Sequence, residues 1–142
     1  RNTGGIVIAA KNAEALRILC KKIKDRELDK RYLTVVHGTP KKKEDILEGY
    51  LEKNEQKNKV YLSRQKNDAN RSIKTKYRVL ASKNGMSLLE IELLTGRTHQ
   101  IRAHMKHKGC PLFNDERYGG DQILKGIPTS SYKQFIKKSK NL

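Results

Sequence analysis

Two runs in the second half of the chain, residues 73–81 and 86–94, have alternating hydrophobic and polar positions. Such alternation is typical of a strand with one buried face, and in the second run leucine or isoleucine alternates with glutamate. Between the runs, Asn84 and Gly85 tolerate the positive φ angles of a tight turn. The pattern therefore predicts a β-hairpin.

The pattern changes immediately after this hairpin. Gly96 supplies a turn, Thr98 is placed to cap a helix by accepting from its first N–H groups, and Gly109 is placed where that helix would stop. The sequence thus predicts that a strand becomes a helix here. Arg97 would lie in the turn and Arg102 inside the helix.

Shorter patterns predict elements in the first part of the chain. Residues 5–10 are a β-branched run consistent with a buried strand, and residues 31–37 are a second strand. Asn12 is placed to cap a helix over residues 13–26. Cys20 lies on the apolar face of that helix, so a small core residue is favoured over a reactive thiol.

The charged and polar segments are less regular. We expect a loop in residues 41–59, followed by a strand or a short turn at the edge of the sheet. Residues 60–62 can pair with that segment, and residues 63–72 form a polar loop. One further helix is predicted over residues 131–139.

Composition and charge narrow the class of protein. A chain of 142 residues with 35% hydrophobic content suits one domain over residues 1–142, with no separate second domain. The formal net charge of +17 indicates a polyanionic partner, with nucleic acid as the first candidate. No apolar run is long enough to indicate a membrane partner. Two cysteines and no signal-like start favour a cytoplasmic protein with reduced thiols.

The predicted junction has the chemistry of an anion site. A helix N-terminus presents unpaired N–H groups and a partial positive charge, and arginine adds a planar fork that grips a phosphate or a carboxylate in two places. The alternative is that Arg97 and Arg102 are exposed cations on a basic protein. A zinc site is less favoured: His104, His107 and Cys110 recur at three-residue intervals, but no fourth ligand has matching spacing.

The same junction resembles the signature of the RluA-type pseudouridine synthases. The resemblance covers residues 1 to about 120, and its four segments agree with the family in order and spacing. The matching segments are RNTGGIVI (1–8), KRYLTVVHG (30–38), TGRTHQIRAH (95–104) and GCPLFND (109–115) followed by Tyr118-Gly119. The resemblance implies an α+β catalytic domain with a mixed, mainly antiparallel sheet, a few flanking helices and a basic cleft.

The resemblance also implies an activity and a set of site residues. The expected reaction is the conversion of uridine to pseudouridine in RNA, most of all ribosomal RNA of the large subunit, with no metal or organic cofactor. Arg102 matches the helix arginine that pairs with the catalytic carboxylate, and Tyr32 matches the tyrosine that stacks on the target base. Arg97, His99 and Gln100 match the same motif and are expected to face RNA or to support the site.

The family's catalytic aspartate has no counterpart in the sequence. In the family motif it lies two residues before Asn2, directly ahead of Arg1, and Asp115 and the other aspartates do not align with it. We therefore interpret the chain as a fragment trimmed at both ends. It is expected to be inactive alone, although its parent is an enzyme. A non-catalytic basic RNA-binding module is the alternative.

Overall fold

The computed structural model describes residues 4–54, 59–63, 65–67 and 70–121. All strand pairings in this part of the chain are antiparallel, which confirms the expected α+β class with a mainly antiparallel sheet. The elements are helix α1 (Ala13–Lys24), strands β1 (Arg31–His37), β2 (Glu44–Asn54), β3 (Lys59–Ser63), β4 (Arg71–Lys83) and β5 (Met86–Leu93), helix α2 (Gln100–His107) and a short 3-10 helix (Glu116–Tyr118). The strand order in the sheet is β1-β5-β4-β2-β3.

The predicted hairpin is present as β4 and β5. Asn84 and Gly85 connect the strands with φ angles of 53° and 76°, the left-handed conformation that a tight two-residue turn requires. The strand register shifts between Val79 and Ala81, where one extra residue enters β4. Gly38, which follows β1, donates its N–H to the Gly85 carbonyl and so fixes this end of the sheet.

The charged segment 41–59 was expected to contribute a strand or a turn at the edge of the sheet, and the strand is confirmed as β2, which has eleven residues. β2 stands between β4 and β3 in the strand order, but residues 44–51 pair with β4 and residues 50–54 with β3, so only its middle is paired on both sides. The pairing of β3 with β2 confirms the expectation for residues 60–62. Charged residues fit this part of the sheet because one face is solvated and pairs opposite charges across neighbouring strands, as Lys76–Glu44 and Arg78–Glu90 do at 2.9 Å and 3.0 Å.

The other face of the sheet carries the core and is covered by α2. Met105 is fully buried and packs with Val36 of β1 and with Leu89 and Ile91 of β5. Ala103, two residues earlier, packs in a second cluster with Ile73 and residues of β2 and β3. Burial of these side chains, worth roughly 1.5–3 kcal/mol for each large one, fixes α2 on this face.

Two predictions about the first part of the chain were wrong. Residues 5–10 do not form a strand, and Ile6, Val7 and Ile8 are all exposed. Helix α1 begins after the predicted cap, since the Asn12 side chain accepts from the Ala15 N–H. None of its residues is buried, however, and Cys20 is exposed. Periodicity identifies an apolar face, whereas burial needs a partner to cover it, and no described element covers this one.

The segment that follows α2 is docked on the edge strand β1. Leu112 forms a bridge with Val36, and the Phe113 N–H donates to the Val35 carbonyl at 2.9 Å. His37 contributes its ring, whose Nε2 donates to the Gly120 carbonyl at 2.7 Å. Together these contacts hold residues 111–120 against the sheet.

The predicted helix over residues 131–139 lies outside the described residues. Neither helix described here has both the length and the apolar character that crossing a membrane requires.

A Gly120→Ala substitution should destabilise the protein. A Cβ atom at this position would overlap the Leu112 carbonyl group and approach the Asp115 nitrogen to 3.2 Å, so backbone would have to move. We expect a loss of about 2 kcal/mol or more in the free energy of unfolding, measured by urea denaturation. Gly4→Ala is the matched control, because a Cβ there meets nothing within 4 Å. Equal stability of the two variants would contradict the packing described here.

Helix α2 also buries a histidine whose charge state is coupled to folding. His104 is 2% exposed, its Nδ1 lies 2.7 Å from the Thr75 hydroxyl, and among the described residues its Nε2 has no hydrogen-bond partner. Burial lowers the pKa of His104 from 6.5 to about 4, with a smaller contribution from the charge of His107. Folding therefore requires the neutral imidazole.

The free energy of unfolding should fall as the pH is lowered from 6.5 to 4. The unfolded chain takes up a proton on His104 near pH 6.5, whereas the folded chain resists protonation until about pH 4, so up to about 3 kcal/mol is lost across this window. The measurement is urea denaturation at a series of pH values. His104→Gln should flatten the dependence in this window, and the exposed His107→Gln control should keep it. Identical slopes for wild type and His104→Gln would contradict the assignment.

Candidate active site

The turn between β5 and α2 has a different cap from the one predicted. Helix α2 begins at Gln100, and its N-cap is His99 rather than Thr98, with a left-handed φ of 56° and no side-chain capping bond. In the turn before the helix, the N–H group of Arg97 donates to Oε1 of the Gln100 side chain at 3.1 Å. At the other end, Gly109 follows the helix with a φ of 76°, as predicted.

Gln100 supports this turn from inside the protein. Its side-chain oxygen also accepts from the Thr95 hydroxyl at 2.9 Å, and its amide nitrogen donates to the Lys74 carbonyl and to the Thr75 hydroxyl, both at 2.9 Å. All four hydrogen-bonding positions of the amide are therefore used. Because Gln100 is also buried, it ties the turn to β4 and has no polar group left for a ligand.

Arg102 lies on the flank of α2 that faces the docked segment and forms an ion pair there. Its Nε and Nη2 donate to the two carboxylate oxygens of Asp115 at 2.7 Å and 2.5 Å. The Asp115 side chain is 7% exposed and the Arg102 side chain 28%. The hydrogen bonds that it donates to Asp115 raise the pKa of the Arg102 guanidinium, so this group is a permanent cation.

Tyr118 completes the surroundings of Arg102. The guanidinium carbon lies 4.6 Å above the centre of the buried Tyr118 ring, in cation–π contact. The Tyr118 hydroxyl oxygen accepts from the Val60 N–H of β3 at 3.1 Å. It also lies 3.2 Å from Nδ1 of His99, whose ring stands edge-on to the tyrosine. The network therefore connects α2, β3 and the docked segment.

The same contacts define the state of His99. Burial is the main cause that lowers the pKa of His99, and the neighbouring Arg102 and Arg117 lower it further, so the imidazole is neutral near pH 7. Nδ1 of His99 shares a hydrogen bond with the Tyr118 hydroxyl, whose oxygen also accepts from the Val60 N–H.

The ion pair leaves part of the Arg102 guanidinium for another anion. A guanidinium has five N–H donors, and Asp115 takes the one on Nε and one of the two on Nη2. The parallel pair formed by Nη1 and the second Nη2 proton points along the end of the side chain. This end can grip a second carboxylate or a phosphate in bidentate fashion.

Sequence reasoning placed Arg102 in the site but did not identify its partners. Asp115 was set aside because it does not align with the family's catalytic aspartate, and Tyr118 was noted only as part of a motif. The available signal was that both lie in a motif matching the family. What the motif did not reveal is that the segment folds back on Arg102.

The other predicted residues lie near the end of β5 and in the turn that follows it. Tyr32 is paired with the core residue Ile91, so its side chain is on the face covered by α2, and it is 39% exposed. Arg97 is exposed in the turn. The Lys30 amine lies near Gly96, where an added Cβ would meet it at 3.2 Å. The structure thus offers two cations and an exposed aromatic ring beside the turn.

A cleft of about 400 Å³ lies elsewhere, between α2 and strands β2 to β4. His104 and His107 are among the residues that line it, whereas Arg102 and Tyr32 are not. In the described ranges of the chain, no three His, Cys, Asp or Glu side chains come together in a group that could hold a metal ion.

Comparison with known proteins relates this geometry to a family. Residues 1–107 match the model of a family described as RNA pseudouridylate synthase. The ribosomal large subunit pseudouridine synthase D of Borreliella burgdorferi is 35% identical over 99% of this chain and 44% of its own length. The ribosomal large subunit pseudouridine synthase C of Rickettsia bellii is 34% identical over 93% of this chain and 43% of its own. The chain thus spans less than half the length of these curated relatives.

Solved structures agree at the level of the fold. Human RNA Pseudouridylate Synthase Domain Containing 4 superposes with a TM-score of 0.71 at 18% identity, over 92% of this chain and 55% of its own. Human RNA Pseudouridylate Synthase Domain Containing 1 gives a TM-score of 0.68 at 24% identity, over 77% and 48%.

Proposed function

Because this chain belongs to the RNA pseudouridylate synthase family, and within it to the RluA type, we propose that it supplies catalytic-domain residues of an enzyme that isomerises uridine to pseudouridine in RNA. Large-subunit ribosomal RNA is the proposed substrate, since the relatives named above carry that description. The net charge of +17 supports a polyanionic substrate. We propose the cytoplasm as its location.

The proposed reaction is an isomerisation without a redox step. The bond between ribose C1′ and N1 of the uracil breaks, the base turns, and a new bond joins C1′ to C5. The C5 proton is lost and N1 gains a proton, so the atoms balance without a cofactor. The protein must bring the nucleotide out of its stack, hold the base, and align a nucleophilic carboxylate.

The observation that carries this proposal is the open end of the Arg102 guanidinium. With Asp115 bound along its Nε edge, Arg102 presents a second bidentate fork that is permanently charged. A catalytic aspartate held by that fork has a lowered pKa and a fixed orientation, so it stays ionised and aimed at the nucleoside. The proposed aspartate is the one expected to precede Arg1 directly.

The remaining residues suit contacts with RNA. The exposed ring of Tyr32, on the helix side of the sheet, is proposed to stack on the uracil. Arg97, exposed in the turn, is proposed to contact a phosphate next to the target nucleotide. His99 is proposed to support the site through its contact with Tyr118, while Gln100 stabilises the turn from inside.

Replacing Arg102 with Lys in the complete protein should abolish most of the turnover. Lysine keeps the positive charge but has no fork, so it cannot hold Asp115 and a second carboxylate at fixed geometry. We expect kcat to fall about 100-fold or more, with the Kd for RNA changed less than about 5-fold. The measurement is tritium release from C5 of labelled uridine in unmodified large-subunit ribosomal RNA.

Arg78→Lys is the matched control for this experiment. Arg78 pairs with Glu90 on the solvated face of the sheet, away from α2, so its replacement should leave kcat within about 2-fold of wild type. Turnover by Arg102→Lys within about 3-fold of wild type would contradict the proposed role. A complete protein that binds this RNA but releases no tritium would instead favour a non-catalytic RNA-binding module.

Tyr32 gives a second prediction. Tyr32→Ala removes the ring proposed to stack on the base, and such stacking is worth about 1–3 kcal/mol. We expect kcat/KM to fall about 10-fold to 100-fold in the tritium-release assay, whereas Tyr32→Phe, which keeps the ring, should stay within about 3-fold. An equal loss in both variants would show that the hydroxyl, and not stacking, is required.

A further inference from the structure

We infer that Asp115 and Tyr118 are positioning residues for catalysis, which act on the reaction by fixing the guanidinium of Arg102. This inference rests on the proposed function, because it assigns a role to the neighbours of the arginine that would align the nucleophile. Neither residue faces the open end of the guanidinium, where the second anion would bind.

The two residues restrain Arg102 in complementary directions. Asp115 binds in the plane of the guanidinium, through two parallel hydrogen bonds, and prevents rotation within that plane. The Tyr118 ring lies against a face of the guanidinium and prevents tilting out of the plane. A long side chain with many rotamers is thereby left with one direction for its free N–H pair.

Both restraining residues are themselves fixed. The Asp115 carboxylate also accepts from the Tyr118 N–H at 3.2 Å, which starts the short 3-10 helix. Tyr118 is 3% exposed, and its hydroxyl is anchored by the Val60 N–H of β3. The docked segment is also bound to β1 through His37. The residues that restrain Arg102 are therefore anchored to two strands of the sheet, β1 and β3.

A purely stabilising role would not require this arrangement. The Asp115 side chain is almost fully buried, and a buried ion pair loses much of its attraction to the cost of removing both charges from water. Apolar residues of similar volume often stabilise such a position equally well. Asp115 binds the Nε edge of the Arg102 guanidinium and leaves the N–H groups at its end free. This arrangement is suited to orienting those N–H groups toward a second anion.

The test measures steady-state kinetics of the complete protein with Asp115→Asn. Asparagine keeps the shape and the acceptor for the Tyr118 N–H, but it cannot accept two guanidinium hydrogen bonds. We expect kcat to fall about 10-fold to 100-fold while KM for the RNA changes less than about 3-fold. Glu116→Gln makes the same change of charge at the next residue, which is exposed, and should leave both constants within about 2-fold. A kcat for Asp115→Asn within 2-fold of wild type would overturn the inference.

A double-mutant cycle shows whether Asp115 acts through Arg102. In an Arg102→Lys background there is no fork to aim, so adding Asp115→Asn should lower the single-turnover rate by less than about 2-fold. An equal loss from Asp115→Asn in both backgrounds would mean that Asp115 acts independently of Arg102, and it would overturn the inference. Asp115→Glu, which keeps the charge but moves the carboxylate by one methylene, replaces Asp115→Asn in the cycle if the latter does not fold.

Tyr118 is tested by two substitutions with different expected effects. Tyr118→Phe keeps the ring beneath the guanidinium and should lower kcat less than about 5-fold, whereas Tyr118→Leu removes the ring and should lower kcat at least 10-fold. Equal values for the two variants would overturn the role of the ring. These outcomes differ from a failure of the proposed function, in which the wild-type protein itself would release no tritium.

Discussion

The bidentate hydrogen bond between Arg102 and Asp115 organises the candidate site. It joins α2 to the segment that follows it, although both partners come from the same short stretch of sequence. Helix α2 is fixed by Met105 and Ala103, which pack in the core, and the segment is fixed by the bridge between Leu112 and Val36. The ion pair is therefore made between two elements whose positions are already determined by packing, and so its geometry is fixed without depending on the pair's own net stability.

Ion pairing differs between the solvated face of the sheet and the turn between β5 and α2. On the solvated face, cations of β4 are paired with glutamates of β2 and β5, as in the ion pairs of Lys74 with Glu48 and of Lys76 with Glu44. Beside the turn, by contrast, Lys30 and Arg97 form no ion pair within the described part of the chain. These two cations of a protein with a net charge of +17 lie beside the turn, a position that suits contact with a phosphate.

The sequence predicted the parts of this fold whose signals are local. The hairpin of β4 and β5 was predicted because alternation and the Asn84-Gly85 turn agree, and the Asn12 cap because its side chain bonds within one turn. The exposure of Cys20 was missed because an apolar face does not reveal whether another element covers it. The pairing of β2 with strands on both sides at its middle was not predicted, because charged residues indicate exposure and do not reveal which strands pair; cross-strand ion pairs make them compatible with a solvated sheet face.

For the candidate site, too, the sequence predicts individual residues but not the contacts that position them. The motif predicts Arg102 and Tyr32 as site residues from their order and spacing, yet the partners that orient Arg102 depend on a fold-back that spacing does not encode. Gln100 illustrates the converse: it belongs to the same motif, but its four hydrogen bonds are all made inside the protein. Gln100 thus serves the site by fixing the backbone, whereas substrate contact is proposed for Tyr32. Burial distinguishes the two residues, since Gln100 is 2% exposed and Tyr32 is 39% exposed.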